Sequence, residues 1–247
     1  MKTTNKILLG VFVLILIAVT VLMVFIRVQL KAAVFIEPSG NIITNAVDVP
    51  PFNGIDASGS MSLLIRQGDQ HKVVVRADDN LMEHIRTEVK DEVLNVTLRA
   101  WAGKNASIEV EVDMVEIGSL VAQSGARVHA EDGLKGKILH HVVNSGAKSW
   151  LAIDFDRLEL EVSSGAEAII RGRVREMTAK NNAGSMLDAS SLEAENVKLN
   201  TSAGAQTDLF VTESLEVKAN TGSMVNYTGN PLHKEISAST GAQVSPR

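Results

Sequence analysis

A tripeptide of small residue, glycine and small residue recurs seven times in the second half of the chain, from Ser124-Gly125-Ala126 to Thr240-Gly241-Ala242. The seven glycines, Gly125, Gly146, Gly165, Gly184, Gly204, Gly222 and Gly241, are separated by 21, 19, 19, 20, 18 and 19 residues. A period this narrow, kept over more than a hundred residues, points to a repeat architecture before any other feature is considered.

Alignment on the glycine shows which positions face inward. Five residues before it stand Leu120, His141, Leu160, Ala179, Leu199, Val217 and Ile236; seven before it stand Leu139, Leu158, Met177, Val197 and Leu215. Polar residues such as Glu159, Lys198 and Glu216 lie between, which is the period of two of a strand with one buried face. The same alternation resumes after the glycine, as in Ala166, Ala168 and Ile170 around Glu167, so each repeat reads as two short strands bent at the glycine. A unit of about 19 residues cannot close a core alone, whereas stacked units can, each strand pairing with its copy one coil away at about 4.8 Å. The predicted fold is therefore all-β, a parallel β-helix-like solenoid with coils of about 19–21 residues. Its glycines turn corners that either have no room for a Cβ or require a positive φ.

Two residues before each glycine the side chain is always polar: Gln123, Asn144, Ser163, Asn182, Ser202, Asn220 and Ser239. Stacking places these above one another, and Asn144, Asn182 and Asn220 are read as rungs of a structural polar ladder.

The N-terminus carries a second strong signal. Residues 7–26 form an apolar run with no charged side chain, relieved only by Gly10 and Thr20, and its length suits one membrane span. Arg27 and Lys31 follow where a cleavage site would need small residues, so residues 1–31 read as an uncleaved signal-anchor, a single transmembrane helix through the lipid bilayer. Lys2, Lys6 and the α-amino group on one side against Arg27 and Lys31 on the other bias the N-terminus slightly inward, which places the C-terminal bulk outside the cytoplasmic membrane. Beyond residue 31 the chain has 20 basic and 29 acidic side chains, a balance of −9, so nucleic acid is not an expected partner.

Residues 32–49 read as a stalk or cap, and 50–247 as the solenoid. Within residues 50–117 the segments MSLLIRQGD, HKVVVRAD, EVLNVTLRA and ASIEVEVDM are strand-like. DNLMEHIRTEV reads as a helical turn or two capped by Asn80, with Leu81, Ile85 and Val89 at helical spacing. Ser58-Gly59-Ser60 looks like an eighth, earlier copy of the triplet.

The stretch from Phe52 to Val96, with Gly54-Ile55, Gln67-Gly68-Asp69, Asn80-Leu81 and Thr87-Glu88-Val89, followed by the small-Gly-small repeats, resembles the auto-transporter adhesin, head GIN domain family. The likeness runs from about Val49 to the C-terminus, with Gly54-Ile55-Asp56 where family members usually carry Gly-Ile-Asn. It implies a parallel β-helix-like fold and an exported or surface-attached location; it implies no ligand and no functional residues.

Chemistry-bearing patterns are sparse. The chain has no cysteine, which excludes disulfides, thiolate metal sites and a cysteine nucleophile. No phosphate loop, nucleophile elbow or paired-histidine helix motif is present, and neither a cofactor nor a metal site is expected. His140 and His141 are neighbours on a strand and should face opposite ways. Asp188 and Asp208 each stand four residues after a glycine and are expected on adjacent coils, with Trp150 in the same outward column; these three are the candidate surface-binding residues. Asp154 and Asp156 read as solvent-facing. The reading preferred is a membrane-anchored, envelope- or surface-displayed, non-catalytic binding or adhesin-like module for an extracytoplasmic ligand, a glycan or an envelope protein. Two alternatives stand beside it: a structural or self-associating envelope protein, and a polysaccharide lyase or hydrolase built on a β-helix.

Overall fold

The computed structural model describes residues 11–23 and 35–247. Residues 11–23 are helical and exposed. No described helix is long and apolar enough to cross a membrane, and the remainder of the 7–26 apolar run lies outside the described residues.

The repeats build a parallel β-solenoid of about seven turns. Strand follows strand in stacking order: Ser119–Gln123, Arg127–Val143, Lys148–Val162, Glu167–Asn181, Met186–Thr201, Gln206–Ala219, then the pair Met224–Thr228 and His233–Ala238, and last Gln243–Pro246. One interior column shows the register: Leu120, His141, Leu160, Ala179, Leu199, Val217 and Ile236 are successive partners. Leu158, Met177, Val197 and Leu215 form a second column, buried almost completely. With the core assembled from such columns, burying an aliphatic side chain in each coil at about 1.5–3 kcal/mol supplies the stacking energy.

The sharp corner is the triplet itself. In each copy the amide of the residue after glycine donates to the carbonyl two residues before glycine, as Ala166 N to Ser163 O at 3.2 Å. The two central residues both have positive φ, 55° at Ser164 and 69° at Gly165, which is the type I′ turn. An added Cβ at Gly146, Gly165, Gly184, Gly204, Gly222 or Gly241 would meet nothing within 4 Å, so the dihedral and not lack of space selects glycine. Successive turns are also tied to each other, Gly165 N donating to Ala183 O at 3.1 Å and Gly184 N to Ala203 O at 3.0 Å. The small residue after glycine, Ala126, Ala147, Ala166, Ser185, Ala205 or Ser223, points into the core.

The expectation of two short strands bent at the glycine is corrected. One extended segment runs from each triplet to the next, and it bends in the middle. The bend is where the inward–outward alternation slips: Asp156 and Arg157 are both exposed, as are Arg175 and Glu176. Register passes there from Phe155–Val174 to Arg157–Glu176, skipping the pair between.

Residues 50–117 join the stack but do not simply extend it. Gly54–Ser58 pairs in parallel with Ser119–Gln123 and with Val93–Leu98, and Ser62–Gln67 pairs in parallel with the start of Arg127–Val143 and with Ile108–Met114. Three antiparallel pairings cover this end: Ile42–Val47 with Lys72–Asp78, Lys72–Asp78 with Ile108–Met114, and Ile85–Lys90 with Val93–Leu98. Ser58-Gly59-Ser60 occupies a corner of the stack, yet only Gly59 has positive φ and the register is offset, Ser58 opposite Gln123. The predicted helix shrinks to the turn Asp79–Met82, and Asp78, not Asn80, occupies its cap position. Ile85 and Val89 belong to a strand, because Ile85–Lys90 finds a hairpin partner whose ladder outweighs a weak helical spacing.

Candidate functional site

Outward rows of the solenoid carry the candidate residues. His129, Trp150, Ile169, Asp188, Asp208 and Asn226 are successive partners in one row, so Trp150, Asp188 and Asp208 share a face as their spacing implies. The imidazole of His129 stacks on the Trp150 indole at 4.5 Å between centroids and 6° between planes. One face of the indole is thereby covered from within the stack, and Trp150 is only half-buried.

Asp188 and Asp208 sit on adjacent strands, but their carboxylates are engaged separately. Asp188 Oδ1 accepts from the Ser190 amide at 3.0 Å and hydroxyl at 2.6 Å. Asp208 Oδ1 accepts from Asn226 Nδ2 at 2.9 Å and pairs with Arg247 at 3.2 Å. Each acid thus has its own donating partner, and none of these contacts joins the two carboxylates. Among the described residues no group of three histidines or acids is arranged to hold a metal ion.

The polar row two before the glycines supplies the acceptor carbonyls of the turns. Along it, Ser239 Oγ donates to Asn220 Oδ1 at 2.7 Å; Gln123 Nε2 instead donates out of the row, to Oδ1 of Asp56, the register partner of Val121, at 2.8 Å. Asn144 and Asn182 lie half-buried in the same row.

The interior holds polar groups that strand alternation alone does not single out. Asn181 is buried; its Nδ2 donates to the Gln206 carbonyl at 2.6 Å and to Thr207 Oγ1 at 2.8 Å, and its Oδ1 accepts from Ser185 Oγ at 2.5 Å. His140 and His141 do face opposite ways. His140 is exposed with Nδ1 3.0 Å from Glu159, while His141 is sealed in the core, where desolvation pushes its pKa down to about 4.

The bend opposite the triplets carries the most regular chemistry on the surface, and it is the feature that reading only the core columns misses. Lys135, Asp154, Arg173 and Glu193 are successive partners. Lys137, Asp156, Arg175 and Glu195 occupy the skipped position two residues on, so charge alternates along both rows. Asp154 pairs with Arg173 at 3.0 Å, Asp156 with Arg175, and Glu176 with Arg157 at 2.7 Å. The signal lies in the same glycine-anchored alignment, read eleven and nine residues before the glycine.

A family model described as "Putative auto-transporter adhesin, head GIN domain" matches residues 51–231. The chain belongs to this family. No curated relative matches it. Among solved structures, a "putative adhesin" from Bacteroides fragilis is 18% identical with a TM-score of 0.77, covering 86% of this chain and 100% of that one. A "putative adhesin" from Parabacteroides merdae is 17% identical with a TM-score of 0.70, covering 87% and 100%. A "putative lipid binding protein" from Parabacteroides distasonis is 14% identical with a TM-score of 0.62, covering 86% and 99%. At these identities the likeness establishes that the fold is shared.

Proposed function

We propose that this head GIN domain is an envelope- or surface-displayed binding module without catalytic turnover, held at the membrane by the apolar run of residues 7–26. The observation that carries the reading is the treatment of acidic side chains on the outer faces. Asp188 is engaged by Ser190, Asp208 by Asn226 and Arg247, and Asp154 and Asp156 by arginines, so all four lie on outer faces with a local partner, three of them ion-paired. General acid–base work asks instead for a shielded carboxyl with a shifted pKa and a positioned partner. Binding asks only for a repeated, rigid surface, and stacked coils supply one. The adhesin naming of the family and of its structural relatives supports the same class.

The test is a glycan array probed with the full-length chain in detergent, with product analysis of every bound glycan. Retention of at least one glycan class without cleavage is expected. Cleavage that disappears in Asp188→Asn/Asp208→Asn would replace the binding reading with a lyase-like one.

A further inference from the structure

The coil between Gly125 and Gly146 is the longest, and its extra residues fall at one place. Register with the next coil moves from Ala130–Leu151 to Leu134–Ile153, and Gly133 lies between with φ of 98°. On its other side this coil has a strand partner only at Arg127–His129 and again at His140–Val143. The intervening segment, Lys135 to Ile138, therefore borders a cleft of about 740 Å³ walled on the far side by Asn53, Gln67, Val115, Glu116 and Ser119, with Glu116 the one carboxylate set against the two lysines. That volume is within the usual range of about 300–1,000 Å³ for ligand sites.

The cleft begins where the two alternating charge rows end. Asp154 is taken by Arg173 and Asp156 by Arg175, and among the described residues neither Lys135 nor Lys137 has a carboxylate within ion-pair distance. The next rung of each row would be negative, and the cleft lies where that rung would stand. Gln67 fixes the geometry: its Oε1 accepts from the Lys135 amide at 2.7 Å, and its Nε2 donates to Lys135 O at 3.1 Å and to Val115 O at 3.0 Å. This carboxamide fills the main-chain edge at Lys135, so an added peptide strand, which needs a run of free backbone groups, has little to pair with. Side-chain charge is left as the means of recognition, with exposed Ile138 and Val115 as apolar borders.

We infer that this cleft binds an acidic oligosaccharide whose anionic groups complete the two rows at Lys135 and Lys137, a site that deepens, and rests on, the binding-module reading above. Two lysines two residues apart on a strand stand about 6.6 Å apart along the chain, a span that separate charges on one ligand can bridge. Compact ammonium groups suit carboxylate or sulfate, and the attraction weakens with salt.

Calorimetry on the full-length chain in neutral detergent tests it with three probes: tetragalacturonate, a sulfated heparin tetrasaccharide and maltotetraose. At least one acidic probe is expected to bind, with maltotetraose silent and affinity falling at least fivefold between 50 and 500 mM NaCl. Lys135→Gln/Lys137→Gln should weaken binding at least tenfold, Lys135→Arg/Lys137→Arg should retain it, and the exposed Lys180→Gln should leave it unchanged. Which acidic probe binds distinguishes carboxylate from sulfate recognition. Equal binding of maltotetraose, undiminished binding by the Gln double variant, or silence of both acidic probes overturns the assignment. A glycan found on the array that ignores the double variant would sink this cleft while leaving the binding-module reading intact.

Discussion

His141 Nε2 lies 3.0 Å from Ser149 Oγ and its Nδ1 2.9 Å from the Leu120 carbonyl, inside a core column otherwise filled by aliphatic side chains. The carbonyl requires Nδ1–H, so Nε2 accepts from the serine hydroxyl and the ring is neutral.

Burial holds the His141 pKa at about 4, below its unfolded value of about 6.5. Between these values the unfolded chain binds the proton that the folded one excludes. Stability contributed by the neutral ring is therefore complete above pH 6.5 and is lost as pH falls toward 4, by about 3 kcal/mol in all. His141→Leu/Ser149→Ala, which restores an apolar column, should flatten this segment of the stability–pH curve measured by urea denaturation at pH 7, 5.5 and 4.5. An unchanged slope in the double variant would refute the assignment.

Gly165 and Ser164 probe the type I′ turn from its two sides. Gly165→Val places a β-branched residue at φ 69° and should cost about 2 kcal/mol or more. Ser164→Gly exchanges relief of a positive φ against unfolded-state entropy, and its denaturation midpoint should stay within about 0.5 kcal/mol of the parent.

Gly172 lies outside the triplets, yet a Cβ there would stand 2.0 Å from the Ile153 carbonyl oxygen, with φ at 114°. Gly172→Ala should therefore lower the thermal midpoint more than Gly165→Ala, whose Cβ has open space. The reverse order would show that turn dihedrals, not close approach, dominate.

Asn181→Val removes three hydrogen bonds and takes the carboxamide from Thr207 Oγ1 and the Gln206 carbonyl, while Ser185 Oγ keeps the Val162 and Asn182 carbonyls as acceptors. A loss of about 1–3 kcal/mol is expected, reduced when Thr207→Val is added. Comparison of the single and double variants by chemical denaturation checks it.

An uncleaved anchor at residues 7–26, as proposed above, predicts a mature protein that keeps its first residues. N-terminal sequencing of the native membrane fraction should begin at or next to Met1; a start near Ala33 would show that the apolar run is removed.

Much of the solenoid is legible because every coil repeats the same local problem. The columns through Leu158, Leu160 and their copies follow from a period of two anchored on glycine, and the shared row of Trp150, Asp188 and Asp208 follows from equal offsets. The bend at Asp156 and Arg157 is less visible, since a corner inside a strand shows in sequence only as one slip of alternation among polar residues. The turn Asp79–Met82 and the hairpin after it were ambiguous for a similar reason: Leu81, Ile85 and Val89 satisfy a helical spacing until the partner strand is known.

The period, the inward columns and the dihedral demand at each triplet are properties of single coils, and the sequence by itself determines them. What the side chains of neighbouring coils do to one another is decided only by the stack. Stacking turns Trp150 against His129, hands Asp154 and Asp156 to Arg173 and Arg175, and leaves Lys135 and Lys137 facing a cleft. The physical reason is distance: residues about 19 positions apart along the chain come to about 4.8 Å only when the coils close, and at that range packing and charge choose partners that local sequence does not rank.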